Sequence, residues 1–347
     1  MLLSLERSHR DGVRQSWGVS EQEDTGSRVE QGRSWADALQ RRHRGLGFPY
    51  AVIRKYSDDD GARLAALITY YGFLSLFPLL ILAAVTVSAV LRDDAERRSQ
   101  LIDAIVPAQF QDTVNNALAA LPSNGIALTV GLFGLIFSSL GLVTSTYHTL
   151  NHIAAVPHRA RLEGLPRYLR TVLLLVLLVA GVAGMGTLTL AAGIQTDGAR
   201  IAAFAGSTLI VFLLLWAATA LLLPRRPQLS LVWPGALIGS LAIAGELTFG
   251  AAVLPRLVAK SGPIYGSFAA IVGLFTLMYL VSQVLVFAGE IAIVRGRGLW
   301  PRTLDPTSPT EADVRALGAL ARMQERMPVE RVQARFDALP HQEDLVD

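Results

Sequence analysis

Two carboxylates, Glu246 and Glu290, stand in runs of the chain that are otherwise apolar. An ionisable group in such a run is costly, so it marks an ion path, a proton relay or a partner charge by default. Glu246 lies about 22 Å along its run, counting ~1.5 Å per helical residue. It reads either as a relay group or as a neutral, protonated acid bonded to a neighbouring helix. Glu290 lies near the end of the last run, where it can hold a cation or a proton, or reach Arg295 or water. Tyr70, Tyr71 and Ser75 form a second polar group, able to stack on and hydrogen-bond a polar headgroup. Tyrosines also serve as anchors at a membrane surface. His148 and His152 are four residues apart on one helix face, with Asn151 between them. That spacing can hold a metal. The only nearby acid is Glu163 and there is no H-E-x-x-H, so interfacial histidines are the expectation and no metal site is assigned.

Other chemistries are absent from the pattern. The chain has no cysteine, so it has neither a disulfide framework nor a thiolate zinc site. It has no P-loop, no G-x-S-x-G elbow and no carboxylate cluster for two metals. No catalytic residue and no cofactor is assigned, and the chain is not expected to be an enzyme. Its net charge of +3 and its pI of about 9.4 come from arginine, for Lys55 and Lys260 are the only lysines. Basic loops held on one face of a membrane explain that balance without a nucleic-acid partner.

The elements that must carry these groups are membrane helices. Apolar residues make up 52% of the chain and charged ones 17%, with a mean hydropathy of +0.41. A soluble domain usually carries about 25% charged residues. Six apolar runs are placed at Leu64–Leu91, Ile126–Tyr147, Thr171–Ile194, Ile201–Leu223, Leu231–Leu254 and Ser267–Val294. Each exceeds the ~20 residues that cross about 30 Å of hydrocarbon as a helix. Helices are required there, because backbone polar groups in lipid must pair within their own segment. The expected fold class is therefore all-α and polytopic, with six transmembrane helices and cytoplasmic tails.

Orientation follows from the basic residues. With the N-terminus inside, the inner segments hold 25 Lys and Arg and the outer ones 6. The positive-inside rule then places both ends in the cytoplasm. The stretch Gly262, Pro263, Tyr265, Gly266 separates the fifth and sixth runs on the outer side. It reads as a simple break between spans or as a hinge.

The rest of the chain divides around this bundle. Residues 1–45 mix both charge signs without apolar periodicity and read as a disordered cytoplasmic tail. Residues 46–298 form the membrane domain. Its outer segment 93–123 carries helical spacing on both sides of Pro107, as two amphipathic surface helices would. Residues 299–347 form a cytoplasmic helical tail. Thr310 is placed to cap a helix running to about Gln324, and a second short helix is expected from Pro328 to Leu339.

Four stretches carry a resemblance. They are "DDDGARLAALITYYGFLSLFPLLILAA", "YHTLNHI" followed by "LPRYLR", "VWPGALIGS", and "GPIYGSFAAIVGLFTLMYLVSQVLVFAGEIAIV". Together they resemble the YihY/BrkB family of bacterial inner-membrane proteins over residues 45 to 298. The family pattern maps onto Ala66, Tyr70, Tyr71, Ser75, Phe77, Pro78, Asn151, Trp233, Gly235, Tyr265, Gly266, Ser267, Gly289 and Glu290. The resemblance implies a six-helix inner-membrane protein. Relatives have carried the labels ribonuclease BN and virulence or serum-resistance factor, and some have been linked to lipid or lipopolysaccharide export.

The expectation is a transporter or flippase of an amphipathic solute, lipid-linked or anionic. Tyr70, Tyr71, Ser75, His148, Asn151, Glu246 and Glu290 are its candidate substrate-cavity residues. The partners expected are membrane lipids and an unidentified solute. A structural or assembly protein of the envelope is the alternative, and a ribonuclease the less favoured one.

Overall fold

The structure is a computed structural model. It describes residues 44–90, 126–192, 197–224, 229–260, 262–304 and 309–336. The sequence expectations for residues 1–43 and 93–123 lie outside the described residues. The regular elements among the described residues are helical: α1 (Arg44–Asp58), α2 (Gly61–Val90), α3 (Ile126–Ile153), α4 (Gly164–Ala192), α5 (Asp197–Leu222), α6 (Leu229–Lys260), α7 (Gly262–Arg297) and α8 (Glu311–Arg322). A single 3₁₀ turn, His158–Ala160, lies between α3 and α4.

Four of these helices hold stretches long and apolar enough to cross a membrane. The stretches are Gly164–Val182, Gly198–Leu222, Val232–Gly250 and Phe268–Arg297. Of the remaining two sequence runs, Ile126–Tyr147 falls within α3 (28 residues), and Leu64–Leu91 lies in α2 (30 residues) as far as Val90, its last residue being outside the described ones. Helices α4, α5, α6 and α7 pack in chain order, α7 packs on α2, and α2 packs on α3. Helix α3 also makes smaller contacts with α4, α5 and α7.

Two apolar clusters hold the helices together. One joins Val143, Tyr147 and Leu150 of α3 to Leu174 of α4 and Ala218 and Leu222 of α5. The other joins Leu64, Ala65 and Ile68 of α2 to Ile153 of α3 and Val286 of α7. Helices α6 and α7 approach most closely through small residues. A Cβ added to Gly235 would lie 2.3 Å from the Ala288 carbonyl oxygen, and one at Gly239 would lie 2.7 Å from the Ala288 Cβ. Small residues permit such close backbone approach in membrane bundles, where apolar burial itself gives little drive.

Helix ends are set by local chemistry. Between α1 and α2 the chain turns at Asp60, whose φ of 54° is a left-handed conformation that Asp tolerates. Helix α3 ends with Ala155 at φ 43°. The Ala155 N–H donates to the His152 carbonyl (2.7 Å), and the Val156 N–H donates to the Asn151 carbonyl (2.9 Å). This pair of bonds is the Schellman arrangement, which satisfies carbonyls a helix end leaves open. Gly298 follows α7 at φ 62°, a left-handed conformation that glycine adopts without a Cβ penalty.

The chain divides into two compact units. Among the described residues, the larger is drawn from 55–297 and 322–332, and the smaller from 44–54, 298–321 and 333–336. In the smaller unit, Phe48 meets Trp300 edge to face at 5.4 Å, and the Tyr50 hydroxyl donates to the Thr303 carbonyl at 3.3 Å. The sequence-predicted cap is present there. The Asp313 N–H donates to Thr310 Oγ1 (3.2 Å), and the Thr310 N–H donates to Asp313 Oδ2 (2.9 Å). This is a capping box with Asp in the third helical position. Buried Arg302 pairs with the same carboxylate.

Burial alone would push the Asp313 carboxyl up. Hydrogen bonds from the Thr310 hydroxyl, the Thr303 and Thr310 N–H groups and Arg302 instead hold it below its ordinary value. A carboxyl lowered in the fold stabilises it above the unfolded value of about 3.9, and that stabilisation is lost as pH falls through the folded value. Protection factors of the α8 amides, with the pH-dependent intrinsic exchange rate divided out, should therefore stay flat from neutral pH to about pH 5 and fall below about pH 4. Asp313→Asn should remove that acid-dependent step.

The expected second tail helix is a correction. Residues 328–336 form a turn and irregular chain, and 337–339 lie outside the described residues. The Glu330 carboxylate accepts the Arg326 and Met327 N–H groups at 2.6 and 3.1 Å, and Glu325 accepts the Val332 N–H at 3.2 Å. Of these donors, the Val332 N–H is one that a helix from Pro328 would have turned along its own axis. The same segment faces the loop after α3. The His158 and Arg159 N–H groups donate to the Met323 and Glu325 carbonyls, and the Arg159 Nε lies 2.7 Å from buried Glu325.

Candidate functional site

The most unusual chemistry in the larger unit is a buried charge cluster. Lys55 comes from the last turn of α1, Asp59 from the turn before α2, and Glu290 from the last turns of α7. Their side chains are only 6%, 4% and 0% exposed. The Lys55 ammonium donates to Asp59 Oδ2 and to the Ile153 carbonyl at the end of α3 (2.9 Å). It stands 3.1 Å from Glu290 Oε2 as an ion pair. Neither Glu290 oxygen receives a well-angled hydrogen bond from the described residues. Removing an ion from water costs several kcal/mol even after relaxation, so three such groups together are expensive.

Neighbouring groups fix Lys55 where it is. The ring of Tyr56 stacks on Phe287 of α7, with centroids 4.2 Å apart and planes 4° from parallel. Its hydroxyl donates to Gln283 Oε1. A Cβ at Gly61 would lie 2.3 Å from the Tyr56 ring, so the glycine opening α2 is what lets that ring lie down. Tyr56, one residue after the lysine, is thereby held against α7. The Arg297 guanidinium donates to the Ala154 carbonyl, tying the end of α7 to the end of α3.

The sequence-predicted cavity residues are distributed as follows. Tyr70 and Tyr71 meet edge to face at 5.2 Å, with Tyr70 54% exposed. Tyr71 lies over Gly141 of α3, where a Cβ would come within 2.4 Å of its ring. The Ser75 hydroxyl donates to the Gly72 carbonyl of its own helix (2.7 Å). His148 is exposed and meets Tyr147 edge to face. Asn151 is fully buried, and its Nδ2 donates to the Tyr147 carbonyl (2.8 Å) and the Leu222 carbonyl of α5 (3.2 Å). Glu246 is half-buried, with Oε2 lacking a hydrogen-bond partner among the described residues. Gly262, Pro263, Tyr265 and Gly266 fall in the first turns of α7, where Pro is tolerated because its missing N–H has no helical partner.

The structure brings Glu290 to Lys55 and Asp59, and Asn151 to the end of α5. Among the described residues no hydrogen bond, ion pair or ring contact links the tyrosine pair to Asn151, His148 or Glu290. A cavity of about 30 Å³ opens between α3, α5, α6 and α7, lined by Thr146, Thr219, Ala236 and Gly289 among others, and by none of the candidate residues. That volume admits a water or two. Among the described residues no group of three or more His, Asp or Glu side chains is arranged to hold a metal.

Sequence reasoning found Glu290 and missed both of its partners. Lys55 was visible only as one of two lysines in an arginine-rich chain. Asp59 stood inside the quoted "DDDGARL" without a role.

Comparison with known proteins adds the following. The family model for Virulence factor BrkB matches residues 52–307. A UPF0761 membrane protein of Rhodospirillum centenum is 29% identical over 259 residues, covering 71% of this chain and 56% of that protein. The chain thus spans little more than half the length of that relative. An uncharacterized protein of Dickeya dadantii is 25% identical over 296 residues, covering 76% of this chain and 85% of that one. No solved structure matches.

Proposed function

The chain belongs to the Virulence factor BrkB family, and from that premise we propose that it is an inner-membrane transporter or flippase of an amphipathic, lipid-linked or anionic solute. The observation that carries this reading is the cluster Lys55–Asp59–Glu290, buried where α1 meets a membrane-spanning helix. A scaffold held by apolar packing has no use for three dehydrated charges, whereas a protein that cycles between states uses such groups as its bistable contact. The reading also takes α2 and α3 as spans, giving six, with both ends in the cytoplasm. Lys55, Asp59, His148 and Asn151 then all lie toward the cytoplasmic side.

Reporter fusions test the topology. Fusions after Arg161, Arg226 and Arg302 should read cytoplasmic, and one after Asn115 external. A reversed reporter in a correctly inserted protein rejects the six-span arrangement. Substitutions test the site. Tyr71→Phe and Asn151→Ala should lower solute movement by purified protein in liposomes several-fold, with membrane abundance near that of the wild type. Glu343→Gln should change neither. Full movement in both variants would make those side chains structural.

A further inference from the structure

Charge arithmetic in the cluster is unbalanced. Two carboxylates, Asp59 and Glu290, face one ammonium, Lys55, and all three are nearly inaccessible to water. The ammonium has three N–H donors. One goes to Asp59 and one to the Ile153 carbonyl, and Glu290 Oε2 stands 3.1 Å away as an ion pair without a well-angled hydrogen bond. Nothing among the described residues donates to Glu290 Oε1.

The surrounding charged and titratable groups do not close the gap. From α3, His152 acts on Asp59 and Lys55 through space, as does Arg63 of α2 on His152. Arg63 is itself two-thirds exposed and paired with Asp60. From α7, Arg297 acts on Asp59 through space, but the residue is exposed and its guanidinium is bonded to the Ala154 carbonyl. The Tyr56 hydroxyl, on α1, is spent on Gln283, and Tyr279 lies behind it. A buried carboxylate with no hydrogen bond is far costlier than a neutral carboxyl, and the usual remedy is a proton.

We infer that Glu290 carries one exchangeable proton beside the Lys55–Asp59 pair, so that the cluster is a proton-binding site. A metal cation is the poorer occupant, because the tethered ammonium already fills the cation seat between the two acids. Release is balanced simply. The carboxyl O–H bond breaks, the proton passes to water, and the ammonium then faces two carboxylates. Asp59 offers the way out, since it sits in a turn beside the exposed Asp60. A carboxyl proton between Lys55 and α7 would make the contact between them sensitive to protonation. The inference stands on this geometry and does not depend on which solute is moved, or on whether one is.

Infrared spectroscopy of the purified protein tests it. Glu246 is a second acid in a membrane-spanning helix, so the measurement uses the Glu246→Gln background. One protonated-carboxyl stretching band per chain should be present near neutral pH and disappear as pH rises toward about 10. The band should shift with ¹³C labelling of glutamate, and it should vanish in Glu290→Gln. The isotope shift identifies the acid type without a cluster variant, and a band that does not move with glutamate labelling rules out Glu290 even where a substitution fails to fold. Absence of any pH-dependent carboxyl band in the labelled protein would overturn the inference. So would a band that survives Glu290→Gln, or one removed at fixed pH by sodium ions alone, which would make the seat a cation site.

Discussion

Lys55→Met should nearly abolish accumulation of the folded protein. It leaves Asp59 and Glu290 facing one another without the ammonium that touches both. Removing one partner of a buried ion pair costs about 3–5 kcal/mol, a large part of the total stability of an ordinary domain. Replacing all partners together is a different experiment. Lys55→Met with Asp59→Asn and Glu290→Gln leaves no unpaired charge, and the abundance and thermal midpoint in detergent should recover most of the loss. Glu290→Gln alone keeps the Lys55–Asp59 pair and should be milder than Lys55→Met. Equal abundance of Lys55→Met and the wild type would mean that the ammonium does not hold these acids.

Gly235→Ala carries the second large effect. Its new Cβ would sit 2.3 Å from a backbone oxygen of α7, with the Ala292 Cβ and nitrogen 3.2 Å away. Backbone atoms cannot rotate aside, so α6 and α7 must separate. Overpacking of this kind typically costs about 1–3 kcal/mol and occasionally more. Gly245 lies on the same helix with nothing within 4 Å of an added Cβ. Gly245→Ala should be neutral or stabilising by up to about 1 kcal/mol, the ordinary gain from replacing a helical glycine. Thermal midpoints of the two variants separate helix packing from helix propensity.

The legible part of this fold is the part that lipid dictates. A run of some 20 apolar residues has one way to satisfy its backbone in hydrocarbon, so helices could be placed from composition alone. Their ends could not. The third run was placed from Thr171 because Arg167 and Arg170 end the apolar stretch, yet α4 begins at Gly164. Hydropathy marks the lipid crossing, and the backbone continues helical into the polar region. The Thr310 cap was legible because capping is local chemistry within three residues. In place of the helix expected from Pro328, the Val332 N–H, which such a helix would turn to the Pro328 carbonyl, is bound by the Glu325 carboxylate, a contact that periodicity does not register.

The site was legible only by halves. Glu290 drew notice as an acid in an apolar run, because the cost of such a group is intrinsic to its surroundings. Lys55 sits in a short mixed-polarity helix, where a basic residue reads as an interfacial anchor. Its partner Glu290 lies more than two hundred positions away, and no spacing rule joins them. The one available signal was compositional: a lysine where this chain otherwise uses arginine. A compact ammonium on a flexible stem suits a narrow seat between two carboxylates and a helix-end carbonyl, whereas a planar guanidinium demands a fork-shaped partner.

The central claim is that the protein moves an amphipathic solute and that the buried cluster is needed for the movement. Purified protein in liposomes carrying a headgroup-labelled lipid tests it most directly. The label's exposure to a membrane-impermeant quencher reports the crossing. Wild type should expose the inner-leaflet label at least tenfold faster than empty liposomes, and Glu290→Gln, folded and equally reconstituted, should fall back to the empty rate. A wild-type rate no faster than that of empty liposomes across lipids with anionic, zwitterionic and glycosylated headgroups would contradict the account, as would full activity in the Glu290→Gln variant.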